Sequence, residues 1–477
     1  MSTHISRRKV VKGVAWATPV IAASSVVPTF ASSVDCTFAE NAYLSAKGMS
    51  YYQRVEEEFS IPEGTHKLRF ELTGGAGGRY ETGLNGGSGA KVSGIVEVKP
   101  YQTVKIIAGG GGSFGPHFYP DGGEYRTGPV KGGYGFGDGG STPEVRIPND
   151  VMDKVHERWV WVHQWSYGPN IPWPMEEIYG CSGGGSSALL VDGEVIAVAG
   201  GGGGVSVVGK PYTAEPNHRH FPGIVDVRMT GPEHPTHAPV HSAAGVAGGA
   251  RGGDATEGHE YYVQDLNLEL TVEGGKGGGG GIGGAGGAKP TVMTGTPNDI
   301  FSFDSQNKQV LYSSSTAGNP GTNGLNGKGG DGVMSVSYQL DDNKTWWRQE
   351  DVEVLEFPDG TREEIHYYGV APYFNGGQII VSGGGGGGYG GGGSGAALSQ
   401  SSITIAQKWN NNPKGIRQSI SYVQLAGSGG AGGSYLAPRV MEGEMSNSNN
   451  ATSDEVFSSA TYSHDGVARV FLCQVGK

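Results

Sequence analysis

Thr73-Gly-Gly-Ala76-Gly-Gly-Arg79, Ile282-Gly-Gly-Ala285-Gly-Gly-Ala288 and Ser428-Gly-Gly-Ala431-Gly-Gly-Ser434 share one spacing, with two glycines between each pair of side chains. A left-handed helix of the polyproline-II type turns once every three residues. The spacing therefore gathers the side chains on one edge of such a helix and leaves two edges carrying only hydrogen. Parallel helices of this kind can approach until N–H, Cα–H and carbonyl groups touch, which any Cβ would prevent.

Apolar segments lead into glycine six times: Leu68 to Leu72, Val104 to Ile107, Val195 to Val198, Leu266 to Val272, Gln378 to Val381 and Tyr422 to Leu425. Glycine-rich composition ordinarily means flexible linker, but linkers do not repeatedly begin from strands that read as buried. Ordering a residue costs roughly 1 to 2 kcal/mol, and a Cα–H···O contact returns about 0.5 to 1 kcal/mol. One isolated glycine helix would melt, whereas several packed together can stay ordered. The expected fold is mainly β, with antiparallel strands in a sandwich-like arrangement, a bundle of polyglycine-II-type helices, long loop insertions and little α-helix. A collagen triple helix is the competing reading of Gly318, Gly321, Gly324, Gly327 and Gly330, but the run is short and holds one proline, Pro320.

Glycine makes up 89 of 477 residues, far above the roughly 7% of ordinary chains. Enough apolar residues remain to bury a core. The formal charge of −12 becomes −16 if residues 1–31, with four basic and no acidic residues, are removed; nonspecific nucleic-acid binding is disfavoured. Ser6-Arg7-Arg8-Lys9-Val10-Val11-Lys12 resembles the twin-arginine export motif, followed by an apolar segment from Gly13 to Val27 and small residues at Thr29-Phe30-Ala31. Cleavage is expected between Ala31 and Ser32. The apolar segment is shorter than the roughly 20 residues of a spanning helix, so no stable transmembrane span is expected after cleavage. The resemblance implies a bacterium, and the style around Val11-Lys12-Gly13 an actinobacterial one, with the protein exported to the envelope or the medium.

Three cysteines in an exported chain suggest one disulfide and one odd thiol. Cys36 and Cys473, near the two ends, are the expected pair and Cys181 the odd residue; the other pairings stay open. No cysteine spacing of the metal-binding type occurs, and no cofactor is expected.

Phe59-Ser-Ile-Pro-Glu-Gly-Thr65, the segment from Lys67 to Gly78, Ser88 to Val98, Gln102 to Gly112, Gly183 to Ala188, Val195 to Gly204, Gly274 to Gly287 and the closing Asp331-Gly-Val-Met-Ser-Val336 together resemble the glycine-rich domain family. That family occurs in bacterial surface proteins and in the extracellular part of anaplastic lymphoma kinase-type receptors. The resemblance covers most of the chain in patches. It implies a structural and binding module of antiparallel strands and glycine helices, without catalytic residues to carry over. A second closing strand begins at Asp465-Gly-Val-Ala-Arg-Val-Phe471. The expected organisation is a signal peptide at 1–31, a glycine-rich domain at 32–340 with insertions at 142–180 and 205–262, a linker and hairpin at 341–375, and a second glycine-rich part at 376–477 completing the same module.

The insertions hold the candidate binding residues, because loops carry function. Trp159, Trp161, Trp165, Tyr167 and Trp173 crowd the first, and flat faces with a polar edge suit sugar stacking or a protein partner. The alternation with Val160 and Val162 equally fits a local core. His234, His237 and His241 are close enough to share a metal, but Pro235 and Pro239 interrupt the run and a solvated loop is the plainer reading. Gly180-Cys-Ser182-Gly-Gly184 and Gly111-Gly-Ser113-Phe-Gly115 match the hydrolase elbow pattern, as chance alone predicts in so glycine-rich a chain. The resulting expectation is a non-enzymatic, envelope-associated scaffold for adhesion to an unknown surface protein or glycan. A self-associating coat component and an exported enzyme acting on wall glycans are the alternatives.

Overall fold

The structure is a computed structural model that describes residues 36–46, 53–79, 85–113, 118–121, 124–127, 129–148, 180–206, 212–217, 226–230, 244–255, 258–262, 268–290, 307–336, 350–356, 362–368, 379–406, 417–451 and 465–475. Among these residues the regular structure is β, paired antiparallel throughout, with no α-helix. The export motif at Arg7 and Arg8, the cleavage site at Ala31 and Ser32, the five aromatic candidates from Trp159 to Trp173 and the three histidines from His234 to His241 lie outside the described residues.

Two five-stranded sheets share one hydrophobic cluster. The first runs, in spatial order, Cys36–Ser45, Val467–Val475, Lys67–Thr73, Ala90–Glu97 and Met441–Asn447; the second runs Val55–Ser60, Thr103–Ala108, Ser187–Val191, Glu194–Ala199 and Tyr435–Leu436. Alternation explains the first sheet: Leu68, Phe70 and Leu72 are fully buried, while Lys67, Arg69 and Glu71 face the other way. Ala468, Val470 and Leu472 of the strand alongside enter the same cluster. The second sheet contributes Val104, Ile106, Leu189, Val191 and Ile196. Burying side chains of this size stabilises by about 1.5 to 3 kcal/mol each.

Strand Val467–Val475 lies between Cys36–Ser45 and Lys67–Thr73, so residues far apart in sequence complete one sheet. Asp192 (φ 49°) and Gly193 (φ 80°) form the two-residue turn of the hairpin joining Ser187–Val191 to Glu194–Ala199, where a positive φ at both positions matches strand twist. A third sheet is ordered Asp226–Thr230, Tyr212–Asn217, Arg417–Ala426, Ala397–Ala406 and Asn307–Thr316. The expected hairpin forms from Glu350–Glu356 and Arg362–Tyr368.

All six expected lead-in strands are present, as Lys67–Thr73, Thr103–Ala108, Glu194–Ala199, Leu268–Val272, Ile379–Val381 and Arg417–Ala426. Where they reach glycine, alternation stops. Ile196, Ala197, Val198 and Ala199 are all buried, as are Ile106, Ile107 and Ala108, because both faces of the strand are covered as it enters a layer of glycine runs. Val333, Ile380, Ala397 and Ala426 form a small second cluster at that boundary.

Candidate functional site

The glycine runs are hydrogen-bonded sideways to one another, and three of them, 200–205, 383–388 and 427–433, bond mutually at the centre. In run 383–388, Gly383 and Gly386 donate to Gly427 and Gly430, Gly384 and Gly387 to Cys181 and Gly184, and Gly385 and Gly388 to Gly330 and Gly327. Its carbonyls accept from Gly201 and Gly204, from Gly392 and Gly395, and from Gly140. Six segments thus surround this one. Run 200–205 repeats the arrangement: Gly201 and Gly204 donate to Gly387 and Gly384, Gly202 and Val205 to Gly75 and Gly78, and Gly203 to Gly245.

The contacts leave no room for side chains. A Cβ on Gly77 would lie 1.8 Å from Gly203 O, and one on Gly202 the same 1.8 Å from Gly87 O. Residues 200–206 and 383–388 are buried throughout. This interior is made of backbone, so every N–H and C=O needs a partner.

Where a run ends or lacks a neighbour, a side chain supplies one. Buried serines serve the interior: Ser186 Oγ accepts from Gly137 N–H at 2.7 Å and donates back to Gly137 O at 3.2 Å, Ser187 Oγ accepts from Gly109 N–H at 2.8 Å and donates to Thr73 O at 2.6 Å, and Ser434 Oγ accepts from Gly200 N–H at 3.1 Å. Carboxylates and amides serve the rim. Asp465 accepts from Gly111 N–H, Asp138 from Gly135, Asp331 from Ser141, Asp254 from Gly277 and Asn450 from Gly89. Three of these acids also meet a cation, Asp138 with Arg54 at 3.7 Å, Asp254 with Arg251 at 3.0 Å and Asp331 with Lys328 at 2.8 Å. Sequence reading passed over these residues, although all but Asn450 share a visible signal: each is a Ser or Asp within or beside a glycine run. The exposed carboxylate of Asp192 is held below its ordinary value of 3.8 by the Thr103 N–H and then by the Gln102 amide, both of which bond to the charged form.

In the two elbow-like matches, which chance alone predicts, Ser182 is fully buried and accepts from Ser113 N–H at 2.8 Å, and Ser113 is itself buried. Cys36 pairs in register with Val475 and Phe38 with Cys473, which places the two cysteines on one face of neighbouring strands. Cys473 is disulfide-bonded and Cys181 is buried. On the same outer face, the Arg69 guanidinium lies 4.3 Å from the ring centre of Phe471 and 5.5 Å from that of Phe38, at cation–π distance. Among the described residues no group of three or more His, Cys, Asp or Glu is placed to hold a metal ion, and no helix is long and apolar enough to cross a membrane.

No protein-family model matches the chain, and no curated protein matches it.

Proposed function

We propose that the glycine runs are polyglycine-II-type helices packed side by side against a β-sandwich, and that the protein is an exported, non-enzymatic scaffold of the glycine-rich domain type. The observation that carries this reading is the period of its hydrogen bonds. Along run 383–388 the acceptor segment changes at each residue and returns every third, to 427 and 430, to 181 and 184, to 330 and 327. A strand would alternate with period two, whereas a helix with three residues per turn meets three donor directions in succession. A net hydrogen bond contributes about 0.5 to 1.5 kcal/mol, so an interior residue that donates, accepts and touches on all sides offsets its ordering cost.

Export follows from the twin-arginine-type segment around Arg7 and Arg8, and a Cys36–Cys473 bond between the outermost strand and its neighbour fits an oxidising destination. A rigid backbone lattice has little chemistry of its own. Its function on this reading is to hold the insertion at 142–180 in place, offering Trp159, Trp161, Trp165, Tyr167 and Trp173 to a surface protein or glycan; of the expected insertion at 205–262, Gly245 bonds within the lattice and Ala247 lies in the shared cluster, so that part belongs to the scaffold itself.

Amide hydrogen exchange on residues 32–477 tests the scaffold. Exchange slower in runs 200–205, 383–388 and 427–433 than in the hairpin at 350–368 is expected; fast exchange in the runs would return them to linkers. Deleting residues 145–178 tests the display, with loss of binding to cell-envelope material expected. Unchanged binding would remove that insertion from the site.

A further inference from the structure

The interior runs show what lateral contact requires. A Cβ on Gly429 would sit 2.0 Å from Gly384 O, and one on Gly203 would sit 1.9 Å from Gly429 O. An approaching run must therefore meet an edge that carries hydrogen alone. Run 282–288 turns such edges inward, where Gly284 and Gly287 are buried and donate to Gly391 and Ser394, while Gly284, Ala285 and Gly287 accept from Gly321, Lys276 and Gly318. Outward it turns Ile282, 69% exposed, with Ala285 and Ala288, also exposed.

We propose that Ile282, Ala285 and Ala288 are a lateral stop that prevents the bundle from adding a glycine run of a second copy of this chain. Their Cβ atoms occupy the space the next run's backbone would need. A second barrier reinforces the first: Gly283 N–H is taken by Asn323 Oδ1 at 2.8 Å, Ala288 N–H by Glu273 Oε2 at 3.1 Å and Gly277 N–H by Asp254 Oδ1 at 2.8 Å. An incoming run would have to displace these side chains before bonding to the rim. Open backbone edges template further addition, as unpaired strands do, and charged or blocking side chains are the usual remedy. This inference rests on the helical reading of the runs and decides between a discrete scaffold and a coat that grows through its glycine edges.

Sedimentation velocity in high salt, which screens the net charge, combined with hydrogen exchange on the same samples, tests it. The mature wild type is expected to stay at monomer mass as concentration rises. The variant carrying Ile282→Gly, Ala285→Gly and Ala288→Gly is expected to shift to dimer or larger. If that variant does not fold, Ala285→Gly alone carries the test. A glycine variant with native protection at 383–388 that remains monomeric overturns the proposal. So does a wild type that associates and is dispersed by Ala285→Val, since the edge would then be a docking face. Fast exchange at 383–388 in the wild type, whatever its mass, instead sinks the helical reading beneath both.

Discussion

Ile282-Gly-Gly-Ala285-Gly-Gly-Ala288 and Ser428-Gly-Gly-Ala431-Gly-Gly-Ser434 carry one pattern in two surroundings. At the rim the three side chains face solvent. At the centre Ser428, Ala431 and Ser434 are fully buried, with Ala431 in the hydrophobic cluster the two sheets share. The choice of residue inverts the familiar rule: isoleucine lies outside and serine inside, with alanine in both places. A core built from backbone explains the inversion. Its unmet needs at run ends are donors and acceptors, which a hydroxyl supplies, as Ser428 Oγ does for Ser206 N–H at 2.9 Å. A rim needs bulk that denies a neighbour close approach.

The largest predicted difference between the two runs lies in their glycines. Gly429→Ala would place a Cβ 2.0 Å from Gly384 O within a run bonded on all sides, and Gly286→Ala would place one equally close, at 2.0 Å, to Gly318 O. The first has nowhere to shift and is expected to cost more than about 4 kcal/mol, the range reserved for severe core disruption. The second meets run 317–322, much of it exposed, which can move outward at about 1 to 3 kcal/mol. Urea unfolding monitored by near-UV absorption of the aromatics reads both; equal losses would break the distinction between centre and rim. Ser434→Ala comes next, leaving the buried Gly200 N–H without its acceptor at about 1 to 3 kcal/mol, with faster exchange expected at Gly200 itself.

Sequence alone marked where glycine runs begin, because a strand such as Lys67–Thr73 alternates and then gives way to a period of three, both local properties. The hairpin of Glu350–Glu356 and Arg362–Tyr368 was legible for the same reason. What stayed hidden is set by distant neighbours. Nothing near Asn450 announces that its amide accepts from Gly89 N–H and donates to Gly74 O. The closing segment at Asp465 read as a terminal strand, yet Val467–Val475 lies inside a sheet between partners some 400 residues earlier in the chain. Likewise, on the helical reading proposed above, the period-three pattern gives a run one side-chain edge and two bare ones, but only packing decides which way that edge turns.

The smallest effects discriminate most finely, because they add side-chain volume without touching a glycine. Ala431→Val adds two methyl groups at a fully buried position among Ala247 and the sheet residues, and overpacking of that kind costs about 1 to 3 kcal/mol. Ala285→Val adds the same groups to an exposed edge, where substitutions fall within about 0.5 kcal/mol of neutral. Paired urea midpoints for the two variants therefore isolate the facing of the side-chain row from everything the runs share. A destabilising Ala285→Val would mean that the outward row of run 282–288 is covered by some other part of the chain, and the rim would then lie further out.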